Sequence, residues 1–303
     1  MKRRDFLKAG AGFGAAAFAF GPQHLLDSLG TEQEKLPHIA VARNGSPSAM
    51  VRRAVGAVGG MASFVSKGDV VVIKPNIGWD RTPQQAANTH PDVVAETIRL
   101  CYEAGAKKVT VFDRPCNDAR RCYLHSGIEK AVEEAGGEMR HVVKARFKKV
   151  PIPKGKVLKS WEFYKDALDC DAFINVPVAK HHSLTRLSLG IKNIMGVIGG
   201  DRGEIHNGIH QKLADLCTVL KPDLTVVDAT RILVANGPQG GSLSDVRTTN
   251  TVVVSTDMVA VDAYAATLFH LRGADIEYVS RCHRMGLGEM DLTQLHVKEI
   301  DLG

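Results

Sequence analysis

Val70-Val71-Val72-Ile73-Lys74-Pro75-Asn76 is a run of four β-branched residues that stops on an amine, a proline and an amide. A strand buried on both faces reads as an uninterrupted apolar run of this kind, whereas a half-exposed strand alternates. Four more stretches repeat the pattern. They are Val109-Thr110-Val111-Phe112 before Asp113-Arg114-Pro115-Cys116, Ala172-Phe173-Ile174-Asn175-Val176 before Lys180-His181-His182, Leu224-Thr225-Val226-Val227 before Asp228, and Thr251-Val252-Val253-Val254 before Ser255-Thr256-Asp257. Helical segments lie between them, so the expected fold is α/β: mostly parallel sheet with helices on both faces, as one unit or two tightly joined subdomains. Ligands of open α/β sheets bind beyond the carboxyl ends of the strands, so chemistry is expected where the runs stop.

Outward from these strands, the pattern predicts a strand over 38–42 and helices over 46–66, 91–104 and 124–135. Pro91 with Asp92 opens the second helix and Gly105 closes it. Strand 107–112 follows it, and helices over 209–220, 258–271 and 276–284 precede a last strand over 296–300. Residues 139–159 are rich in Lys and Arg among Val and Pro. They read as solvated edge strands, with a phosphate- or membrane-binding surface as the sharper alternative.

Lys2-Arg3-Arg4-Asp5-Phe6-Leu7-Lys8 leads into an Ala- and Gly-rich stretch ending at Phe20. This reads as a twin-arginine signal peptide over 1–20, cleaved near Ala17-Phe18-Ala19 or retained as an anchor. A linker over 21–37 and a single α/β domain over 38–303 follow. The expected location is therefore periplasmic or otherwise outside the cytoplasm, with the export machinery as a partner and membrane contact only through an uncleaved signal. Residues 1–20 hold four Lys/Arg and one Asp, so without them the formal charge falls from +6 to +3. The basic balance is thus no argument for nucleic acid.

Of six cysteines, Cys101 and Cys217 share helix faces with aliphatic residues and read as core. Cys116 and Cys122, close together in a polar stretch, leave a local disulfide, a pair of metal ligands and two idle thiols all open.

The densest polar cluster is Lys180-His181-His182, followed by Lys192-Asn193, by Gly196, Gly199, Gly200 and Gly203, and by His206 and His210. Imidazoles serve as acid/base groups or metal ligands near neutral pH, and glycines let backbone amides approach an anion. His181, His182, Lys74 and Asp113 are therefore the candidate catalytic groups. Lys192, Asn193, Asn76, Gly196, Gly199 and Gly237 are the candidate cofactor-binding residues. His206, His210, Cys116 and Cys122 are candidate ligands for a transition metal. Asp262 shares a helix face with Val259, Ala263 and Ala266, which turns its carboxylate inward, with Lys74 and Lys192 as expected partners. No H-E-x-x-H, no G-x-S-x-G and no ferredoxin-type cysteine run occurs.

Lys74-Pro75-Asn76, Ser126-Gly127-Ile128, Asn175-Val176-Pro177, Lys180-His181-His182, the run Ile191–Ile198, Val227-Asp228-Ala229, Gly237-Pro238 and the run Asp257–Ala263 together resemble the domain of unknown function 362 family. Some members carry ferredoxin-like modules, a pattern from which this chain departs, so no self-contained four-cysteine iron–sulfur cluster is expected. The stretch from His181 through Lys192 to His206 or His210 is also similar to the histidine-lysine-glycine region of nickel-pincer lactate racemase. That resemblance implies Lys192 as cofactor anchor, His206 or His210 as ligand, and His181 or His182 in proton transfer. The function expected is an exported enzyme, racemase-like or associated with oxidoreduction, acting on a small anionic substrate. A non-catalytic ligand-binding or redox accessory protein is the alternative.

Overall fold

The computed structural model describes residues 36–303. The signal-peptide reading and all but the end of the linker lie outside the described residues. In chain order the elements are β1 (Ile39–Arg43), α1 (Pro47–Ala57), β2 (Val70–Pro75), α2 (Pro91–Glu103), β3 (Lys108–Val111), α3 (Ala119–His125), α4 (Ile128–Glu134), β4 (Glu138–Met139), β5 (Phe147–Pro151), β6 (Ser160–Tyr164) and α5 (Lys165–Asp169). The second half runs β7 (Ala172–Val176), β8 (Val178–His182), β9 (Arg186–Ser188), α6 (Gly190–Asn193), α7 (Gly203–His206), α8 (Ile209–Cys217), β10 (Leu224–Leu233), β11 (Val246–Ser255), α9 (Met258–Thr267), α10 (Glu277–Arg284) and β12 (Val297–Asp301).

The main sheet has the order β12-β1-β11-β10-β7-β2-β3-β4, with β8 continuing β7 along the far half of β10 and β9 folded back on β8. Every pairing along that order is parallel except those of β11, which runs against both β1 and β10. Alternate side chains of the strands enter two separate cores. Ala40, Val71, Ile73, Val109, Val111, Ile174 and Val226 pack under α1, α2 and α4. Val41, Val72, Phe173, Val227 and Val253 pack under α8, α9 and α10. The uninterrupted apolar runs are explained by this double burial. The fold is α/β with a mostly parallel sheet covered on both faces.

Several local expectations are corrected. The first helix stops at Ala57, because Gly59 and Gly60 take positive φ (105° and 78°) and end it. The 124–135 helix is two helices, broken where Gly127 turns left-handed at φ 71°. Residues 147–164 form their own two-stranded sheet, while the edge of the main sheet is the short β4. The run 251–254 belongs to the antiparallel β11, so Ser255 pairs with Thr225 and Ile39 at the amino edge. Asp257 accordingly caps α9 through Val259 N (2.8 Å) and Ala260 N (3.0 Å), away from the other strand ends.

The loop between β5 and β6 is fastened to α8 by one carboxylate. Asp215 of α8 is fully buried and accepts hydrogen bonds from the backbone of Lys156 (2.9 Å), Val157 (2.7 Å) and Leu158 (2.8 Å). Burial alone would raise its pKa, but these bonds together hold it below the ordinary carboxylate value. Asp215→Ala should therefore cost roughly 3 kcal/mol, since three amides lose a charged acceptor, and urea unfolding at pH 7 measures it. The sign for acid is fixed by the same shift. The stabilisation is present above the unfolded carboxylate pKa and lost as pH falls through the folded one, so wild type and variant should converge in acid.

Candidate functional site

Four of the five runs end at one edge, and three of them lead to residues that line a cleft of ≈ 530 Å³. Lys74 and Asn76 arrive from β2, Asp113 from just beyond β3, Lys180 and His182 from β8, and Lys192 and Asn193 from α6. Arg114, Cys116 and Arg202 from loops and His206 from the end of α7 add to the wall.

Lys74 is almost wholly buried and spends its three N–H groups on Asp113 Oδ1 (2.9 Å), Asn193 Oδ1 (2.8 Å) and Pro75 O (2.5 Å). Burial pushes its pKa down against the pull of Asp113. Asp113 is equally committed, accepting from Ile77 N (2.7 Å) and Arg114 N (2.8 Å) besides Lys74. Lys74 has no N–H to spare and Asp113 has three of its roughly four acceptor sites filled, so this buried pair fixes geometry. Both residues expected as catalytic are held in this pair.

Asn193 carries this frame across the cleft. Its Oδ1 also accepts from Asn76 Nδ2 (3.1 Å), and its Nδ2 donates to Lys74 O (3.1 Å) and Asn175 Oδ1 (2.8 Å). Asn76 Oδ1 in turn accepts from Lys180 Nζ (3.0 Å), whose other acceptor is Ala87 O (2.5 Å). The α6 turn bearing Lys192 and Asn193 is held from below by Asp262, which accepts from Gly190 N (2.7 Å) and Ile191 N (2.9 Å). Asp262 does point inward as expected, but it meets these amides and not Lys74 or Lys192. Burial lifts its pKa to about 7 against both bonds.

Lys180 and Lys192 differ from Lys74 in having no carboxylate beside them. Burial, reinforced by the charge of Lys192, brings Lys180 to about 7. Lys192 is 8% exposed, touches the Met195 thioether at 3.6 Å as its one hydrogen-bond partner, and is brought by burial to about 8. Arg114 and Arg202 bring the cationic side chains of the lining to five, against the single carboxylate of Asp113.

The two adjacent histidines part company because β8 alternates its side chains. His182 stays with Lys180. Its Nδ1 accepts from Leu184 N (3.1 Å), so the proton of the neutral ring sits on Nε2. Burial and the neighbouring lysines drive its pKa to about 3, so it is a hydrogen-bond donor to the cleft and a poor base. His181 Nδ1 accepts from Gly237 N (3.1 Å), and its ring borders a second cavity of ≈ 390 Å³ with Arg186, Arg247 and His270. His182 borders this second cavity too, whereas His181 is absent from the lining of the first.

His206 lines the cleft, with Nδ1 3.3 Å from Gly203 O, which leaves Nε2 as an acceptor. His210 lies outside the cleft lining, its Nδ1 buried without a partner and its ring beside Glu277 and Arg281. Cys116 is exposed at the cleft while Cys122 is buried, its pKa raised to about 11 by burial, and the two remain separate thiols. Among the described residues no group of three or more His, Cys, Asp or Glu side chains can share a metal ion. The donor set does not fit a metal held by side chains alone.

The glycines also sort differently. A Cβ on Gly196 would lie 1.8 Å from Asp113 Oδ1 and 2.6 Å from Lys74 Nζ, so this position makes room for the ion pair. Gly199 packs against Glu162 and Phe147 of the hairpin, and Gly237 sits against His181 O in a tight connection. Neither lines the cleft. Lys180 was legible only within a triplet read as following a strand, and Arg202 lies in a loop with no signal of its own.

A family model described as "Domain of unknown function (DUF362)" matches residues 71–267, a span holding every cation of the cleft. The chain belongs to the DUF362 family. A thylakoid-associated protein of Synechocystis sp. is 27% identical over 274 residues, covering 84% of this chain and 81% of that protein. Two solved structures are similar to parts of the DUF362 chain. The lactate racemase apoprotein from Thermoanaerobacterium thermosaccharolyticum has 14% identity, a TM-score of 0.45, and coverage of 72% of this chain and 54% of that one. A structural-genomics protein from Thermotoga maritima has 11% identity, a TM-score of 0.43, and coverage of 75% and 60%. The DUF362 chain spans less than two thirds of either protein. No helix among the described residues is long and apolar enough to cross a membrane.

Two substitutions separate the roles. Gly196→Ala should drive Lys74 and Asp113 apart and cost about 3–5 kcal/mol, the range for a broken buried pair, read from chemical unfolding. Lys192→Met should do the opposite. The folded value near 8 lies below the unfolded one of about 10.4, so holding the ammonium in the fold costs stability, fully below pH 8 and decreasingly above it. Removing the amine, which abandons no oxygen acceptor, should stabilise the protein at pH 7 by on the order of 1–3 kcal/mol and flatten the rise in melting temperature between about pH 8 and 10.

Proposed function

We propose that the DUF362 chain is an enzyme that binds a small anionic substrate in this cleft and transfers a proton on it, working outside the cytoplasm after export by the twin-arginine route. One observation carries the reading: five cationic side chains converge on the cleft, and its one carboxylate is already spent on Lys74 and backbone amides. Such a surplus of positive charge behind low-dielectric walls favours an anion and strengthens its hold on it. Arg202 has five N–H donors and uses two of its nitrogens on Arg114 O (2.6 Å) and Pro115 O (2.8 Å), so donors are left for a carboxylate or phosphate. His182 adds the Nε2–H of a neutral ring.

Proton transfer falls to groups on the cleft wall that keep a free donor or acceptor. Lys180, with a pKa near 7, serves as acid or base at neutral pH, and the Nε2 of His206 serves as acceptor at the rim. Lys74, Asp113 and Asn193 hold these groups in place. No step runs through a metal, because the donor set does not fit one.

A bound anion favours the charged form of both unpaired lysines, so binding must draw in protons from solution. Titration calorimetry with oxalate and with inorganic phosphate at pH 8, in buffers of different ionisation enthalpy, should show net proton uptake. Lys192→Met should reduce that uptake and weaken binding at least about tenfold. Failure of both anions to bind at millimolar concentration, or binding without proton uptake, would sink the reading.

A further inference from the structure

The three buried lysines of the cleft are held in three different ways, and the contrast assigns them different chemistry. Lys74 has three oxygen acceptors, one of them a carboxylate. Lys180 has two neutral oxygen acceptors. Lys192 has no oxygen acceptor among its hydrogen bonds, only the Met195 sulfur at 3.6 Å, although it is as enclosed as a core residue. An amine in that position is weakly tethered, desolvated and surrounded by cations. Those conditions leave its nitrogen lone pair available for bonding to carbon, as with lysines that form Schiff bases.

We infer that Lys192 condenses with a small oxo acid, a molecule that carries a carbonyl carbon next to or near a carboxylate, to form a Schiff base in the cleft. The inference rests on the anion-binding reading above and names the substrate class. The carboxylate end is met by the guanidinium of Arg202, whose charge is close enough to Lys192 to weaken the hold of its proton. The carbonyl end then faces the amine of Lys192. The neutral amine attacks the carbonyl carbon and a C–N bond forms, giving a carbinolamine. The nitrogen gives up one proton, the former carbonyl oxygen takes two in all, from the Lys180 ammonium and from solvent, and the C–O bond breaks to release water. The product is a protonated C=N bond, so one proton is consumed and one water released overall, with no change of oxidation state. The resulting iminium withdraws electrons from the neighbouring carbon, which is what a protein that moves a proton on a small anion requires.

The step is tested by trapping. The purified full chain is incubated with pyruvate and sodium cyanoborohydride at pH 8 and digested, and its peptides are weighed by mass spectrometry, while calorimetry measures pyruvate binding separately. The expected result is a reduced pyruvyl adduct on the peptide carrying Lys192, absent in Lys192→Met. Acetone, which has the carbonyl without the carboxylate, should label this peptide more slowly by roughly tenfold or more. Thermal unfolding of Lys192→Met shows whether the variant is folded, so a lost adduct is not mistaken for lost structure. Three results would overturn the inference: pyruvate that binds but leaves no adduct, an adduct spread over surface lysines, or a Lys192 that already carries a covalent group before reaction. The first leaves the anion-binding reading standing. Absence of both binding and adduct, with oxalate and phosphate also unbound, overturns the two together.

Discussion

Lys74 and Asp113 are both withdrawn from water and are bonded to each other and to their surroundings where β2, β3 and α6 meet. Breaking such a pair leaves an uncompensated charge in a low-dielectric interior, so the surrounding backbone is constrained to keep the two together. Gly196 has no room for a Cβ because of them, Asn193 is oriented by them, and through Asn193 the positions of Asn76 and Lys180 follow. A rigid polar frame of this kind lets other side chains in the same cleft remain unsatisfied without the site collapsing. Lys192 and Lys180 are the side chains left in that state.

The cleft therefore sets stability against function. Desolvating an amine beside other cations is unfavourable to folding, and the fold accepts that cost in a region walled by two well-packed cores. Asp262 fits the same logic. It is placed beneath α6 on the amides of Gly190 and Ile191, where it supports the turn that presents Lys192 without neutralising its amine.

Much of this arrangement was readable from residues. The apolar runs placed Lys74, Asn76 and Asp113 at strand ends, because double burial leaves an unmistakable β-branched signature. The helical face around Asp262 showed that its carboxylate turns inward. The failures have equally physical causes. Lys180-His181-His182 was taken to follow a strand when it lies within one, so the two-residue alternation that separates His181 from Lys180 and His182 went unread. The direction of β11 depends on which neighbours it pairs with, and that is a long-range property invisible in its own Val-rich run. Gly196 looked like a cradle for a ligand's negative charge, but the charges it makes room for are the protein's own. Arg202 comes from a loop whose approach depends on carbonyls of Arg114 and Pro115, a contact that crosses 87 or more positions of chain.

The reversed strand β11 also decides which way the molecule faces. Because β1 pairs against it, Ile39 stands level with Ser255 and with the start of β10, at the rim opposite the cleft mouth. Leu36 and Pro37 thus join the domain on its back side. The cationic opening is therefore turned away from Leu36 and Pro37, toward the side of the domain that they leave free.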